Sequence, residues 1–351
     1  MKHAFFVLIF MTSLAQAFNV RKSKDRLLLR ETNCEEGQEI VSSLAQWNLL
    51  AKTGKQCDTS APGEIKKNYC QFDITDCVPD HVVKYQGATP QTDGPNCWNL
   101  SLVMSKILPA LRYSSPEEMN FYMRPPLCRQ LKDGEEKIAG DVGAIRQVKK
   151  DKTPEYHGFI YISEKVAYSK NGFSRMAPYD LQSLDNVYEV YQVPRQEECR
   201  KNEITEGATC DKAVAFFRCQ SMDEYLENNS NIPEKIKETF QKVGMFEVCV
   251  EDRALRGNAI SKEATKNILD TSKALLNYLK QAKDSPEVAK LDKEERDFVI
   301  GSLQMRLEAI SEQLAMFGGT QDGTSLVSGL ALEGFAKQIK SASKGVAGVQ
   351  K

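Results

Sequence analysis

Ten cysteines are the feature that most constrains this chain of 351 residues. All of them lie between Cys34 and Cys249, and none occurs from there to Lys351. In an oxidising compartment cysteines are disulfide halves by default. A zinc site is disfavoured because no two cysteines have the spacing of about two to four residues that is typical of a zinc knuckle. We therefore expect a disulfide-tied body followed by a cysteine-free end.

The first 17 residues are typical of a cleavable signal peptide. Lys2 is followed by an apolar run over residues 4–11, and residues 15–17 have the small-x-small pattern that signal peptidases accept. This run is shorter than the ~20 residues that span a bilayer, and no later segment is long and apolar enough. We expect cleavage after Ala17 and a secreted or periplasmic protein with no integral membrane segment.

The charge balance argues against a nucleic-acid partner. The chain has 47 Lys and Arg against 48 Asp and Glu, and no basic block is interleaved with aromatic residues as in nucleic-acid binders. Its length suggests about two domains, at a rough ~150 residues per domain.

The order of patterns along the chain predicts an α+β fold, with helices first, strands second and more helices after them. Apolar spacing of three and four predicts a helix over 38–52, another from Cys97 that Pro109 limits, and a third from Pro116, capped by Ser115 and ended by Pro125-Pro126. Alternating or β-branched runs predict strands at 141–148, 156–163, 165–170 and 186–193. Helices are expected at about 210–228, 233–243, 260–282 and 286–317, the last two as a helical hairpin.

Five segments follow from these patterns. They are a signal peptide (1–17), an N-terminal helical and disulfide-tied segment (18–96), an α+β core (97–200), a helical region with the long hairpin (201–317), and a flexible tail (318–351). Residues 18–33 are expected to be a mobile lead-in, and residues 54–96 to be irregular and disulfide-tied. A short amphipathic piece is expected within the tail.

Histidine supply limits the chemistry. His3 leaves with the signal peptide, so only His81 and His157 remain. His81 is expected in an exposed loop, and His157 at the start of a strand. Cys97 begins an amphipathic helix, where free backbone N–H groups and the helix dipole lower the pKa of a thiol. From the residues alone, a disulfide remains the default for Cys97 and an edge-strand polar role the default for His157.

Five motifs in order resemble the NlpC/P60 branch of papain-like cysteine peptidases, over about residues 81–193. They are Tyr85-Gln86-Gly87, Gly94-Pro95-Asn96-Cys97-Trp98-Asn99, Gly140-Asp141-Val142-Gly143-Ala144-Ile145, His157-Gly158-Phe159-Ile160-Tyr161-Ile162, and Val166-Ala167-Tyr168-Ser169-Lys170-Asn171. The chain departs from the family pattern at Asn96, where the family usually has Asp, at Trp98-Asn99, which replaces Ser-Gly, and in a long insertion between Cys97 and Gly140.

The resemblance implies a papain-like core, in which a helix bearing the cysteine packs on an antiparallel sheet. It implies Cys97 as nucleophile and His157 as base in an exported hydrolase of peptidoglycan amide bonds. Ser169 or Asn171 would orient His157, with Tyr168 and Lys170 pointing the other way on the strand. Tyr85 would assist at the oxyanion or substrate.

No metal or organic cofactor is required for this chemistry. The helical C-terminal region would position the enzyme on the wall or on a protein partner.

Two other functions stay open. The same Cys/His pair would serve a thiol acyltransferase, whereas a secreted disulfide-bonded binding protein would hold Cys97 in a bridge. Ten cysteines can all pair, so a free Cys97 leaves nine and requires a second free thiol or an intermolecular bond. Cys128 is one candidate for that odd thiol.

Overall fold

The structure is a computed structural model that describes residues 18–147, 155–200, 210–282, 285–318 and 324–347. The expected signal peptide lies outside the described residues. In chain order the elements are β1 (Phe18–Ser23), β2 (Arg26–Glu31), α1 (Cys34–Leu50), β3 (Glu64–Ile65), β4 (Cys70–Asp73), α2 (Asp80–Tyr85), α3 (Cys97–Met104), α4 (Pro116–Tyr122), β5 (Cys128–Gln130), β6 (Val142–Gln147), β7 (Glu155–Tyr161), β8 (Val166–Lys170), β9 (Tyr179–Ser183), α5 (Leu184–Val190), β10 (Lys212–Cys219), α6 (Met222–Asn228), α7 (Glu234–Arg256), α8 (Lys262–Gln281), α9 (Lys293–Met316) and α10 (Thr324–Ala347). The α+β class is confirmed.

A small antiparallel sheet of order β1-β2-β4-β3 begins the described chain. The expected mobile lead-in is wrong, because residues 18–31 form a β-hairpin. In β2, Leu27 and Leu29 are fully buried, but Leu28 between them is also apolar, so the sequence has no clear alternation from which the strand could be recognised. The disulfide tie within 54–96 is confirmed by Cys57–Cys77. His81 lies on helix α2 rather than in a loop.

The second sheet has six antiparallel strands in the order β5-β10-β6-β7-β8-β9. The helix expected over 210–228 is therefore wrong in its first half, which forms strand β10 between β5 and β6. Residues Ala213–Phe217 are buried at every position, so the run has no alternation from which a strand could be recognised. The sheet thus extends beyond residue 200, where the sequence placed the boundary of the α+β core.

Two further elements around this sheet differ from expectation. The strand expected at 186–193 is helix α5, which begins after Ser183, whose hydroxyl accepts from the backbone N–H of Asn186. The β-branched and aromatic content of that run favoured the wrong element. Helix α3 ends at Met104, well before Pro109, because Lys106 turns the chain in a left-handed conformation, with φ 57°.

Helices cover the two faces of the six-stranded sheet. Strand alternation sends Gly158 and Ile160 of β7 toward α3, while Phe159 and Tyr161 join the apolar cluster that contains Leu184, Val187 and Tyr188 of α5. Helix α4 also lies on the α3 side and is capped by Ser115 with Pro116 at its first position, as expected.

The C-terminal helices differ in their bounds from the expected ones. Helix α7 runs to Arg256 rather than 243 and ends at Gly257 in a left-handed conformation. Helix α9 begins at Lys293 after the capping box of Asp292, so the expected start at 286 is wrong. The expected hairpin of 260–282 with 286–317 is also wrong, because α10 packs against both α8 and α9 while those two helices have little contact with each other. The tail was expected to be flexible, but α10 occupies residues 324–347 and lies against α8 and α9.

A buried charged cluster joins these helices to the body of the protein. It consists of Arg112, Glu118 of α4, Glu247 of α7 and Arg306 of α9, all between 0% and 2% exposed. Arg112 donates to both Glu118 oxygens at 2.7 and 2.8 Å and to Glu247 at 2.8 Å. Arg306 Nε donates to the other Glu247 oxygen at 3.0 Å. Each carboxylate is thus paired, and the cluster fixes α7 and α9 against the segment that follows α3.

Among the described residues, no helix combines the length and the apolar character that crossing a bilayer requires.

Candidate active site

Cys97 is the first residue of helix α3, and Asn96 holds this end of the helix in place. The Asn96 side chain accepts from the backbone N–H of Asn99 at 3.0 Å, while its amide donates to the carbonyl of Ser114 at 2.7 Å. An aspartate at this position would cap the helix but could not donate the second hydrogen bond. The departure from the family at Asn96 therefore has a local structural reason.

Cys97 is not bridged in the structure. Eight cysteines form the pairs Cys34–Cys70, Cys57–Cys77, Cys128–Cys219 and Cys199–Cys210. The two free thiols are Cys97 and Cys249. The assignment of Cys128 as the odd thiol is therefore wrong, because β5 and β10 are neighbours and bring Cys128 beside Cys219.

The thiol of Cys97 lies in a closed environment. The residue is only 5% exposed, and burial raises its pKa, although the backbone N–H groups of Gly158 and Trp98 and the ammonium of Lys170 act in the opposite direction. The expected lowering of the pKa by the helix N-terminus is therefore wrong for this resting structure. Desolvation of the thiolate outweighs the helix dipole.

Gly158 of β7 allows α3 to approach the sheet this closely. A Cβ at that position would lie 2.8 Å from Ser101 Oγ and 3.4 Å from the Cys97 carbonyl oxygen. Only glycine accommodates this contact without displacing the helix. The residue after His157 is thus the one that brings Cys97 to strand β7.

His157 itself is fully buried, with its ring on the opposite side of the strand from Gly158. The ring stacks on Tyr191, with centroids 3.7 Å apart and planes 16° apart. Neither ring nitrogen has a hydrogen-bond partner, so no hydrogen bond joins His157 to Cys97. Burial lowers the imidazole pKa to about 3, and His157 is neutral at physiological pH.

The two candidates for orienting His157 have different partners. Ser169 is buried and its hydroxyl accepts from Gln182 Nε2 at 2.6 Å. The Oδ1 atom of Asn171 is buried with no partner. Asn171 directly follows β8, the strand that pairs with β7, which carries His157. Asn171 is the candidate with an open acceptor.

The hydroxyl of Tyr85 is engaged by a carboxylate of helix α7. Its hydroxyl donates to the Glu251 carboxylate, and burial together with that carboxylate raises the phenol pKa. Its ring lies 5.9 Å from Tyr179, centroid to centroid. The hydroxyl is committed to Glu251, so the structure gives no support for a role of Tyr85 at the oxyanion.

Two neighbours of Cys97 were missed as site residues. Lys170 was expected on the face of the sheet opposite His157. In the structure that face is the one against which helix α3, with Cys97 at its start, packs. Tyr191 lay in the wrongly assigned strand at 186–193; in the structure it follows α5 and stacks on His157. The position of Lys170 could have been noticed in the sequence, because it is a lysine at the end of the otherwise uncharged strand Val166–Lys170. No sequence pattern indicated Tyr191.

A cavity of about 770 Å³ lies elsewhere, at the far end of α3. It is lined by His81, Ile107, Leu108, Phe240 and Met245, among others. Within the described chain, no group of three or more His, Cys, Asp or Glu side chains could hold a metal ion.

No family model, curated protein or solved structure matches this chain.

Proposed function

We propose that this protein is an exported cysteine hydrolase that cleaves amide bonds in peptidoglycan stem peptides, with Cys97 as nucleophile and His157 as base. The observation that carries the proposal is the unbridged Cys97 at the start of α3, in contact with the residue that follows His157. Eight other cysteines are bridged, so this thiol is kept reduced within a disulfide-rich body. The substrate class rests on the order of motifs in the sequence.

The resting state suits a proton transfer that accompanies attack. Burial favours the neutral thiol of Cys97 and the neutral imidazole of His157. To take the thiol proton, His157 has to leave its stack on Tyr191, and the start of β7 has to twist, because at rest the ring lies on the face of the strand opposite Gly158. Asn171, with its open Oδ1, then accepts the other ring N–H. Three buried polar atoms that lack partners at rest acquire them in the reacting state.

The reaction balances without a further reagent. The thiolate attacks the amide carbonyl, and the backbone N–H groups at the start of α3 stabilise the oxyanion. The C–N bond breaks, and the imidazolium of His157 gives its proton to the leaving amine. Water then attacks the thioester with His157 as base, which releases the carboxylate and restores the thiol.

Purified sacculi incubated with the mature protein test this proposal. The wild type is expected to release stem-peptide fragments with new amino termini, detected by mass spectrometry. Cys97→Ser and His157→Gln should lower the release by about 10³-fold or more. Cys249→Ser is the matched control, because it removes the other free thiol and should keep full activity. Release by Cys97→Ser at the wild-type rate would show that Cys97 is not the nucleophile.

Binding without catalysis is a second candidate, favoured by the absence of a hydrogen bond between His157 and Cys97 and by the cavity of about 770 Å³. In that case the wild type and both variants would bind sacculi equally and none would release fragments. A thiol acyltransferase would instead transfer the acyl group to an added amine in place of water.

A further inference from the structure

Lys170 is a buried cation without a carboxylate partner. It ends strand β8 and is 0% exposed. Its Nζ donates to the carbonyls of Gly172 at 3.0 Å and Ser174 at 2.8 Å, and it lies 5.9 Å from the Tyr179 ring centroid. Among the residues that the structure describes, no carboxylate forms an ion pair with it. A buried ammonium with only neutral partners is costly, so a nearby anion would stabilise it.

The neighbour that can become an anion is Cys97. Lys170 lies on the same face of β8 as Tyr168, which pairs with Ile160 of β7, and helix α3, which begins at Cys97, packs against both strands. The backbone N–H of Gly158 contacts the Cys97 thiol. The charge of Lys170 lowers the pKa of Cys97, and the charge of Cys97 raises that of Lys170.

His157 does not supply this positive charge at rest. It lies on the other face of β7, has no polar partner, and stays neutral because burial lowers its pKa to about 3. Lys170 is thus the cation built into the fold on the side of the nucleophile.

We propose that Lys170 is a positioning residue for the nucleophile, the buried counter-ion that stabilises the Cys97 thiolate. This inference rests on the proposed function for the use of the thiolate, but the ion pair itself can be measured without a substrate. No bond is made or broken by Lys170, which keeps its proton throughout.

Other titratable groups face this pair. The carboxylate of Asp93 raises the pKa of Lys170, against the burial that lowers it to about 8. Tyr191 lies near Cys97 on the His157 side, and burial raises its phenol pKa. Neither group can supply the positive charge in place of Lys170. Asp93 is an anion, and Tyr191 is an uncharged phenol.

The test is the pH dependence of Cys97 alkylation by iodoacetamide, followed by peptide mass spectrometry in a Cys249→Ser background. Lys170→Met and Lys170→Gln should move the titration to higher pH by about one pH unit, which is about tenfold less thiolate at neutral pH. Lys170→Arg should keep the wild-type titration. Lys165→Met is the control, since Lys165 is exposed at the start of the same hairpin and pairs with Glu39.

A merely structural role gives a different pattern. Lys170→Gln keeps a hydrogen-bond donor for the two carbonyls but loses the charge. If Lys170→Gln titrates like wild type, the ion pair is overturned.

The reciprocal measurement keeps the proposal testable if the Lys170 variants fold poorly. In lysine-labelled protein, NMR should show the ammonium of Lys170 titrating at lower pH in Cys97→Ala than in wild type, because coupling between two sites is mutual. An unchanged Lys170 titration in Cys97→Ala overturns the proposal.

The sacculus assay, run alongside, separates the two claims. If hydrolysis requires Cys97 but the Lys170 variants leave the pH dependence of alkylation unchanged, the counter-ion role is refuted and the hydrolase function is retained. If the Lys170 variants shift the titration of Cys97 but the protein does not cleave sacculi, the counter-ion role is supported and the hydrolase function is refuted.

Discussion

The charged cluster and the Cys97 site are both buried and polar, yet they differ in how completely their groups are paired. In the charged cluster, Arg112 and Arg306 donate to two carboxylates, and all four side chains have partners. At the Cys97 site, both nitrogens of His157 and Oδ1 of Asn171 have none, and within the described residues no carboxylate forms an ion pair with Lys170. Buried groups are normally paired.

The difference separates a structural role from a chemical one. The cluster stabilises one arrangement of α7 and α9 against the body, and each of its charges depends on the others. The unpaired groups around Cys97 cost stability, and in the proposed mechanism they form their hydrogen bonds in the reacting state. Unpaired buried groups of this kind are concentrated at functional sites.

The largest expected effect breaks the cluster. Arg112→Met leaves Glu118 without its bidentate partner and Glu247 with only Arg306, so the free energy of unfolding should fall by about 3 to 5 kcal/mol. Urea denaturation measures this. The control is Arg129→Met, which removes an exposed pair with Glu135 and should cost less than about 1 kcal/mol. A loss of that small size in Arg112→Met would mean that the cluster does not fix the helices.

The next effect sharpens the contrast through pH. The pKa of His157 is about 3 in the folded protein and about 6.5 when unfolded. Between these values the unfolded chain binds one proton more, so stability is complete above about pH 6.5 and falls as the pH drops toward 3.

Near pH 4.5 the wild type should have lost about 2 to 3 kcal/mol through His157 alone. His157→Leu should abolish that part of the acid sensitivity while leaving stability at pH 7 unchanged or higher, because it removes two buried nitrogens that lack partners. Urea denaturation at pH 7 and pH 4.5 compares the two proteins. Asp180, whose pKa burial raises to about 6, acts with the opposite sign in both proteins and cancels in the difference. Identical pH profiles would show that His157 is not buried as a neutral ring.

The smallest effect concerns the close contact of helix and strand. Gly158→Ala places a methyl group 2.8 Å from Ser101 Oγ and should cost about 1 to 3 kcal/mol in unfolding free energy. The substitution should also displace Cys97, so the rate of sacculus hydrolysis should fall even under conditions in which the variant remains fully folded. Gly334→Ala, in α10 with open space around it, should be neutral or stabilising. Equal behaviour of the two variants would refute the contact.

Much of the fold could be predicted where the pattern is periodic. The helices at Cys34–Leu50 and Lys262–Gln281 have apolar residues at helical spacing, whereas the strands at Val142–Gln147 and Val166–Lys170 were recognised from β-branched and aromatic residues bounded by turn residues. Strand β10 could not be recognised, because burial on both faces of the sheet removes the alternation. Helix α5 was concealed by β-branched and aromatic residues, whose preference is overridden by the cap at Ser183.

The site shows the same limit at the level of side chains. The sequence placed Cys97 at the head of a helix, and this is confirmed. It could not foresee that desolvation outweighs the helix dipole at the thiol, or that Tyr85 is tied to Glu251, which lies more than a hundred residues away in the chain. The contact between Tyr85 and Glu251 depends on where α7 packs on the rest of the protein. No local sequence pattern predicts that packing.

Trapping the acyl-enzyme is the most direct test of the central claim. The mature protein is mixed with excess stem peptide, quenched in acid within the first turnovers, and mapped by mass spectrometry. The account predicts that the peptide containing Cys97 gains the mass of the acyl fragment, that Cys249 stays unmodified, and that His157→Gln gains little. A Cys97 found in a disulfide, or product formed while Cys97 remains unacylated, would contradict it.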